Sequence, residues 1–274
     1  MQKQNKEKQK KEKQKKEKQK FSVPLIIALA VCLVILGISI WQLSGIYLEY
    51  KEGTDEYEEL LQYVNEDLPE EAYGEEQEEE PSEEGEEEER LQRVSFDELK
   101  AINDEIVGWI EIPGTQISYP MMHTGDDVYY LNHTFSGNEN SAGSIFIETL
   151  NSPDFTELHT IIYGHNMKNG SMFAGLKNYT SPSYLVAHPT VYIDLADGTH
   201  AYQIFSCYET SADSDSYTIG FAPDEQYEEF LQKLKSRSAY DTGVDVAVTD
   251  SIISLSTCTR SGENRYLIHA KKIY

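Results

Sequence analysis

The hydrophobic pattern changes regime twice along the chain. Val23 to Leu43 is a run of 21 residues without a charge. At about 1.5 Å per residue it forms a helix about 30 Å long, enough to cross a bilayer. From 47 to 68 the apolar positions Tyr57, Leu60, Leu61, Val64 and Leu68 recur at helical spacing. The membrane helix therefore continues outward or is followed by a short helix. Beyond 95 the pattern is short and strand-like: Trp109–Ile112, Ile117–Met121, Ser144–Glu148, Thr160–Gly164, Val191–Leu195, His200–Thr210, Ile252–Thr257 and Arg265–Ile273. Gly, Pro and Asn/Asp turns separate these runs, which predicts an antiparallel barrel or sandwich. One helical pattern opens this region and a long one interrupts it. Ser95-Phe96-Asp97-Glu98 reads as a capping box, with Phe96, Leu99, Ile102 and Ile106 on one face. After Pro223, Tyr227, Phe230, Leu231 and Leu234 share one face of Asp224–Ser236.

Charge sharpens this division. Residues 1–20 hold ten Lys and three Glu, and residues 54–90 hold nineteen acidic residues and one Arg. The lysines precede the apolar run, so positive-inside logic puts the N-terminus in the cytoplasm and the remainder outside. A cleaved signal peptide is the competing reading. The run is longer than a usual h-region and lacks an A-x-A-like site, which favours an uncleaved anchor. The Glu-rich stretch has no apolar face, and self-repulsion makes it an extended spacer rather than a calcium site. Residues 91–274 keep a net charge of −13, which repels phosphates and makes this region a poor nucleic-acid binder, the basic tail being the one exception, so no nucleic-acid partner is expected.

Three cysteines give no disulfide framework. Cys32 lies in the membrane run and Cys207 in an apolar strand pattern. Cys258 ends the run Ser254-Leu255-Ser256-Thr257-Cys258 and is followed by Thr259 and Arg260, which suggests a strand end opening to solvent. Arg265 opens the next strand-like run and can face Cys258 across a hairpin. A thiolate nucleophile needs such a cation, for its ionisation and for the oxyanion it creates. Arg260 is the rival arginine. Among the histidines, His165 ends an apolar run between Gly164 and Asn166. His123, His159, His188 and His200 sit in loop-like or polar settings, His133 suits a structural hydrogen bond, and His269 lies within the last strand pattern. No HExxH, CxxC pair, P-loop or dinucleotide fingerprint is present, so nothing in the sequence calls for a metal or cofactor.

These segments resemble the sortases, the cysteine transpeptidases of Gram-positive cell surfaces. The TLxTC motif of that family reads here as Ser254 to Cys258, with Ser for the first Thr. Tyr163 to Phe173 (YGHNMKNGSMF) and Ser95 to Thr115 are similar to class B in particular. The resemblance covers about Ser95 to Tyr274. It implies an eight-stranded β-barrel with N-terminal helices and a long helix between strands six and seven. It implies Cys258 as nucleophile, His165 as acid/base and Arg265 as oxyanion partner. Ser256, Thr257, Tyr217 and Leu131 are expected substrate contacts.

The expected organisation is a cytoplasmic tail (1–20), a signal-anchor (21–47), an acidic extracellular spacer (48–90) and a catalytic domain (91–274). The expected reaction cleaves a C-terminal sorting signal, NPxTN-like or LPxTG-like, after Thr and passes the acyl group to an amine of a peptidoglycan precursor. Rival readings are a pilin polymerase with a pilin lysine as acceptor, a peptidase using water, and a non-enzymatic surface spacer or adhesin. The lack of a second, C-terminal span in these residues disfavours the pilin polymerase.

Overall fold

The computed structural model describes residues 23–65 and 93–274. The basic tail and most of the Glu-rich stretch lie outside the described residues. Helix α1 runs from Val23 to Leu60 without a break, so the membrane run and the helical pattern after it form one element. It is long and apolar enough to cross a membrane. The chain divides into two compact units, Met1–Glu49 and Tyr50–Tyr274.

The second unit begins well before residue 91. Tyr57 and Leu60, on the last turns of α1, are buried in the main core. The Tyr57 hydroxyl donates to the Gly143 carbonyl at 2.6 Å. Val64 then bridges Val94, the Asn65 amide donates to the Arg93 carbonyl (2.8 Å) and the Ser95 amide to the Tyr63 carbonyl (2.9 Å). The expected start of the packed unit is therefore corrected: the residues up to Val64 belong to it. The described residues on either side of the Glu-rich remainder hydrogen-bond to each other. Arg93 fixes the re-entry point. It is buried and donates to Asp194 and Glu111, bridging carboxylates on two different strands.

Helix α2 spans Phe96–Ile102 and is shorter than the apolar spacing suggested. Ser95 makes no side-chain cap, so the expected capping box is not formed. Asn103 ends the helix in extended backbone. Its amide donates to the Tyr130 hydroxyl (2.9 Å) and the Phe135 carbonyl (2.8 Å), while its Oδ1 accepts from the Glu105 amide (3.0 Å). Ile106 then opens a strand.

Eight strands follow: β1 (Ile106–Glu111), β2 (Ser118–Met122), β3 (Ile145–Ile147), β4 (His159–Tyr163), β5 (Thr190–Leu195), β6 (Gly198–Ser211), β7 (Ile252–Cys258) and β8 (Asn264–Lys272). A short helix α3 (Pro182–Ala187) precedes β5, and helix α4 (Glu225–Arg237) lies between β6 and β7. The strands close in the order β1-β2-β3-β4-β7-β8-β6-β5. The eight-stranded barrel and the helix between strands six and seven are both present. The expectation of a wholly antiparallel sheet is corrected, because β2/β3 and β4/β7 are parallel pairs. Both are joined by long excursions, 123–144 and 164–251, which give the chain room to return to the same end. Hairpin-scale turn signals do not reveal such crossovers.

Trp109, Ile110, Ile162, Ile193, Ile253 and Leu255 belong to the main core. A second cluster packs Tyr227, Phe230, Leu231 and Leu234 of α4 on Phe205, Ile252 and Leu267. Asp224 caps α4 by accepting from the amides of Gln226 and Tyr227, and the Tyr227 hydroxyl lies 2.8 Å from the carbonyls of Leu158 and Asp250. The helix is thus bound to the starts of β4 and β7.

Replacing 66–92 by a short Gly/Ser link should leave the melting temperature unchanged or raised. Shortening a 27-residue closed loop lowers its closure entropy by about 1–2 kcal/mol. Tyr57→Ala should cost about 3–5 kcal/mol by thermal unfolding, because it empties a core position. A neutral Tyr57→Ala would return the end of α1 to the spacer.

Candidate active site

Strand β4 lies parallel to β7 in the register Tyr163↔Ser256, and β7 pairs antiparallel with β8 so that Cys258 faces Arg265. Alternation along a strand puts Ser256 and Cys258 on one face. The Gly164 amide extends the ladder past β4 by donating to the Ser256 carbonyl (3.1 Å). His165 thereby reaches the level of Cys258. Gly164 has to be glycine here, because a Cβ would collide with Ile145 and the Phe173 ring. Asn166 closes the join by donating from Nδ2 to the Cys258 carbonyl at 2.8 Å.

These residues line an open cleft of about 220 Å³ with Asp127, Leu131, Phe146, Glu148, Tyr163, Ser256 and Thr257. Cys258, His165 and Arg265, named from the sequence, therefore share one cavity. Nε2 of His165 lies 2.7 Å from the Leu131 carbonyl. A carbonyl only accepts, so Nε2 carries a proton and Nδ1 is the basic nitrogen of the neutral ring. Arg265 Nη1 donates to the carbonyls of Gly262 (2.9 Å) and Asn264 (3.0 Å) in its own hairpin. This holds the guanidinium at the strand end beside Cys258. Arg260 is exposed and does not line the cleft.

Of the expected substrate contacts, Leu131, Ser256 and Thr257 line the cavity. Tyr217 stands behind it: its hydroxyl is 2.8 Å from Ser256 Oγ and its ring stacks on Tyr163. Thr257 is 2% exposed, and its Oγ1 has no hydrogen-bond partner among the described residues. His133 stacks on Tyr129 and bonds the Tyr129 carbonyl, outside the cleft. Cys207 is buried, which pushes its thiol up to about 12 and leaves it unreactive.

His159 is corrected from a loop-like setting to a buried position at the start of β4. It belongs to a chain of hydrogen bonds that the sequence did not reveal. His159 Nδ1 donates to the Thr218 carbonyl (2.7 Å), so its Nε2 accepts from Ser254 Oγ (2.6 Å). Ser254 Oγ accepts from His269 Nδ1 (2.6 Å), and His269 Nε2 accepts from the Tyr208 hydroxyl (2.9 Å). Both rings are neutral in this polarity. Burial pushes His159 down to about 4 and His269 well below its ordinary value. The chain ties β4, β7, β8 and β6 together beneath Cys258 and His165. Asp127, Phe146, Glu148 and Tyr163 were also missed as cleft residues. The one available signal was that Glu148 ends a strand-like run, as Cys258 does.

Burial of neutral histidines makes the fold less stable in acid. An unfolded histidine titrates near 6.5, so stability is full above that value and is lost as pH falls toward 4. For His159 the loss is about 3 kcal/mol in order of magnitude. The melting temperature should drop between pH 7 and 4.5, and drop less in His159→Gln, whose amide can both donate to Thr218 and accept from Ser254. Equal drops in both proteins would remove His159 from the acid response.

Comparison with known proteins yields one family. The Sortase domain model matches residues 110–273. Sortase B of Listeria monocytogenes is 42% identical over 161 residues, 59% of this chain and 65% of that protein, so the match spans just under two thirds of its length. Sortase B of Staphylococcus aureus is 31% identical over 214 residues, 78% of this chain and 86% of that one. The solved Staphylococcus aureus sortase B–substrate complex is similar with a TM-score of 0.62 and 33% identity, over 65% of this chain and 84% of that one.

Proposed function

The chain belongs to the sortase family, class B, and on that premise we propose that it is a membrane-anchored cysteine transpeptidase acting on sorting signals of surface proteins. The observation that carries this reading is the convergence on one cleft of His165, past the end of β4, with Cys258 and Arg265, which face each other on the β7–β8 hairpin about ninety residues later in the sequence. The solved relative in complex with its substrate supports a peptide donor.

In the proposed reaction the Cys258 thiolate attacks the carbonyl of a Thr in the sorting signal. The tetrahedral oxyanion accepts hydrogen bonds from the Arg265 guanidinium, whose planar fork offers several donors. His165, protonated at Nδ1, gives that proton to the departing amide nitrogen. The C–N bond breaks and a thioester on Cys258 remains. An amine, on a peptidoglycan precursor in this reading, then attacks the thioester. It loses its proton to His165, and the thiolate leaves. Asn166 helps by fixing the backbone of Cys258 against that of β4.

The ten lysines before α1 support an N-terminus in the cytoplasm, with the barrel on the outer face of the membrane.

Cys258→Ala should abolish cleavage of sorting peptides and leave the melting temperature nearly unchanged. Cys207→Ala should retain turnover. A dead, folded Cys207→Ala beside an active Cys258→Ala would reverse the assignment. His165→Ala should still be alkylated at Cys258 yet fail to turn over peptide, and its pH–rate profile should lose a limb. Arg265→Lys keeps the charge but not the fork, and should lower kcat about 10²–10³-fold. Near-normal transfer by either variant would exclude that residue from the chemistry.

A further inference from the structure

Two neighbours hold His165. Its Nε2 donates to the Leu131 carbonyl (2.7 Å), and its own carbonyl accepts from the Phe173 amide (2.9 Å). Neither neighbour belongs to a barrel strand. Leu131 lies in the excursion between β2 and β3, and Phe173 closes the loop that leaves β4. The place of the imidazole therefore depends on whatever fixes these two segments. An imidazole that must deliver a proton to one nitrogen tolerates little displacement.

The last turns of α1 reach both. Glu56 accepts from the Ser136 amide (2.9 Å), and buried Gly53 lies so close to Asn140 that a Cβ would stand 3.0 Å from its Oδ1. Tyr57 reaches further. Its buried hydroxyl donates to the Gly143 carbonyl (2.6 Å). Gly143 has φ +56°, and a Cβ there would come 2.8 Å from the Leu131 carbonyl oxygen and 2.5 Å from that of Tyr130. Tyr57 thus holds the backbone that packs directly on the acceptor of the His165 proton. On its other side, the Tyr57 ring meets the Tyr119 ring edge-on, with centroids 5.3 Å apart. The Tyr119 hydroxyl accepts from the Met172 amide (2.9 Å). Met172 is a buried non-glycine residue at φ +56°, ψ −132°, bridges Asn166 and precedes Phe173. Such a backbone persists only where its surroundings over-determine it. The Tyr119 hydroxyl fixes its amide, and through Phe173 the His165 carbonyl.

We propose that Tyr57 is a positioning residue for His165, acting through Gly143 on the Leu131 carbonyl and through Tyr119 on the loop that ends at Phe173. The inference rests on reading His165 as the acid/base. It places part of the support of the active site on the helix that carries the apolar run, ahead of residue 110, where the family match begins. Cys258 and Arg265 stand on the β7–β8 hairpin and take no part in either path. The role is therefore specific to proton transfer.

The test uses the full chain in detergent and two donors with the same acyl segment, a sorting peptide and a p-nitrophenyl ester ending at its Thr. The amide needs a proton on its leaving nitrogen, whereas p-nitrophenolate leaves without one. Tyr57→Phe keeps the ring on Tyr119 and removes only the bond to Gly143. Tyr119→Phe keeps both rings and removes only the acceptor of the Met172 amide. Both should melt close to the unsubstituted chain. On the peptide, kcat should fall about 10–10²-fold in each, with KM changing far less. On the ester, the nitrophenolate burst that reports acylation of Cys258 should keep nearly its full rate. His165→Ala should show the same split in stronger form. A folded Tyr57→Phe with unchanged peptide kcat overturns the proposal, whatever Tyr119→Phe shows, and so does equal slowing of peptide and ester, which marks a general loosening of the cleft. If Tyr57→Phe does not fold, the same two results in Tyr119→Phe overturn it. In those cases a dead His165→Ala leaves the acid/base reading standing. Normal peptide turnover by His165→Ala removes that reading, and the proposal with it.

Discussion

The structure depends on the parallel pairing of β4 with β7. These strands lie about ninety residues apart in sequence, and only their side-by-side register, Tyr163 against Ser256, brings His165 level with Cys258. A slip of one residue would turn every side chain of β7 to the opposite face and put Cys258 into the barrel. The register is held at several levels. Gly164 and Asn166 bond β7 at the top. The line from His159 through Ser254 to His269 binds the same strands below. Helix α4 grips the starts of both through Tyr227. Each of these contacts satisfies a buried polar group, so losing one leaves an unpaired donor or acceptor as well as a looser strand.

Much of this was visible in the residues because strand ends carry polar chemistry and strand interiors do not. Cys258, His165 and Arg265 stand where an apolar β-branched run meets polar residues, and the structure puts all three at the mouths of strands. Helix α4 was recognisable from its apolar face and from Pro223 before it. What the sequence hid was long-range. Parallel neighbours leave no hairpin signature. Ile106 fits the apolar spacing of α2 and still begins β1, because Asn103 takes its hydrogen bonds from another part of the fold. His159 looked polar by its neighbours, and only the pairing of β4 with β7 shows Ser254 waiting beside it. The Glu-rich stretch looked like a stalk by composition. The residues on either side of it are joined to each other, Asn65 to Arg93 and Tyr63 to Ser95, a long-range pairing that composition does not reveal.

Charges of both signs line the cleft: Arg265 beside Cys258, and Asp127 and Glu148, in a domain that is acidic as a whole. A cation near the thiol favours the thiolate and the oxyanion that the proposed chemistry needs.

The central claim is that Cys258 carries the acyl group between donor and acceptor, and the most direct test is to observe that species. The full chain is mixed with a sorting peptide, quenched in acid within seconds, digested and analysed by mass spectrometry. The account predicts the mass of the peptide up to its Thr, less water, attached to the fragment containing Cys258. It also predicts that this adduct disappears when an amine is added, as the amide product forms. Cleavage with no acylated Cys258 at any quench time, or an adduct that water releases equally fast with and without the amine, would contradict it.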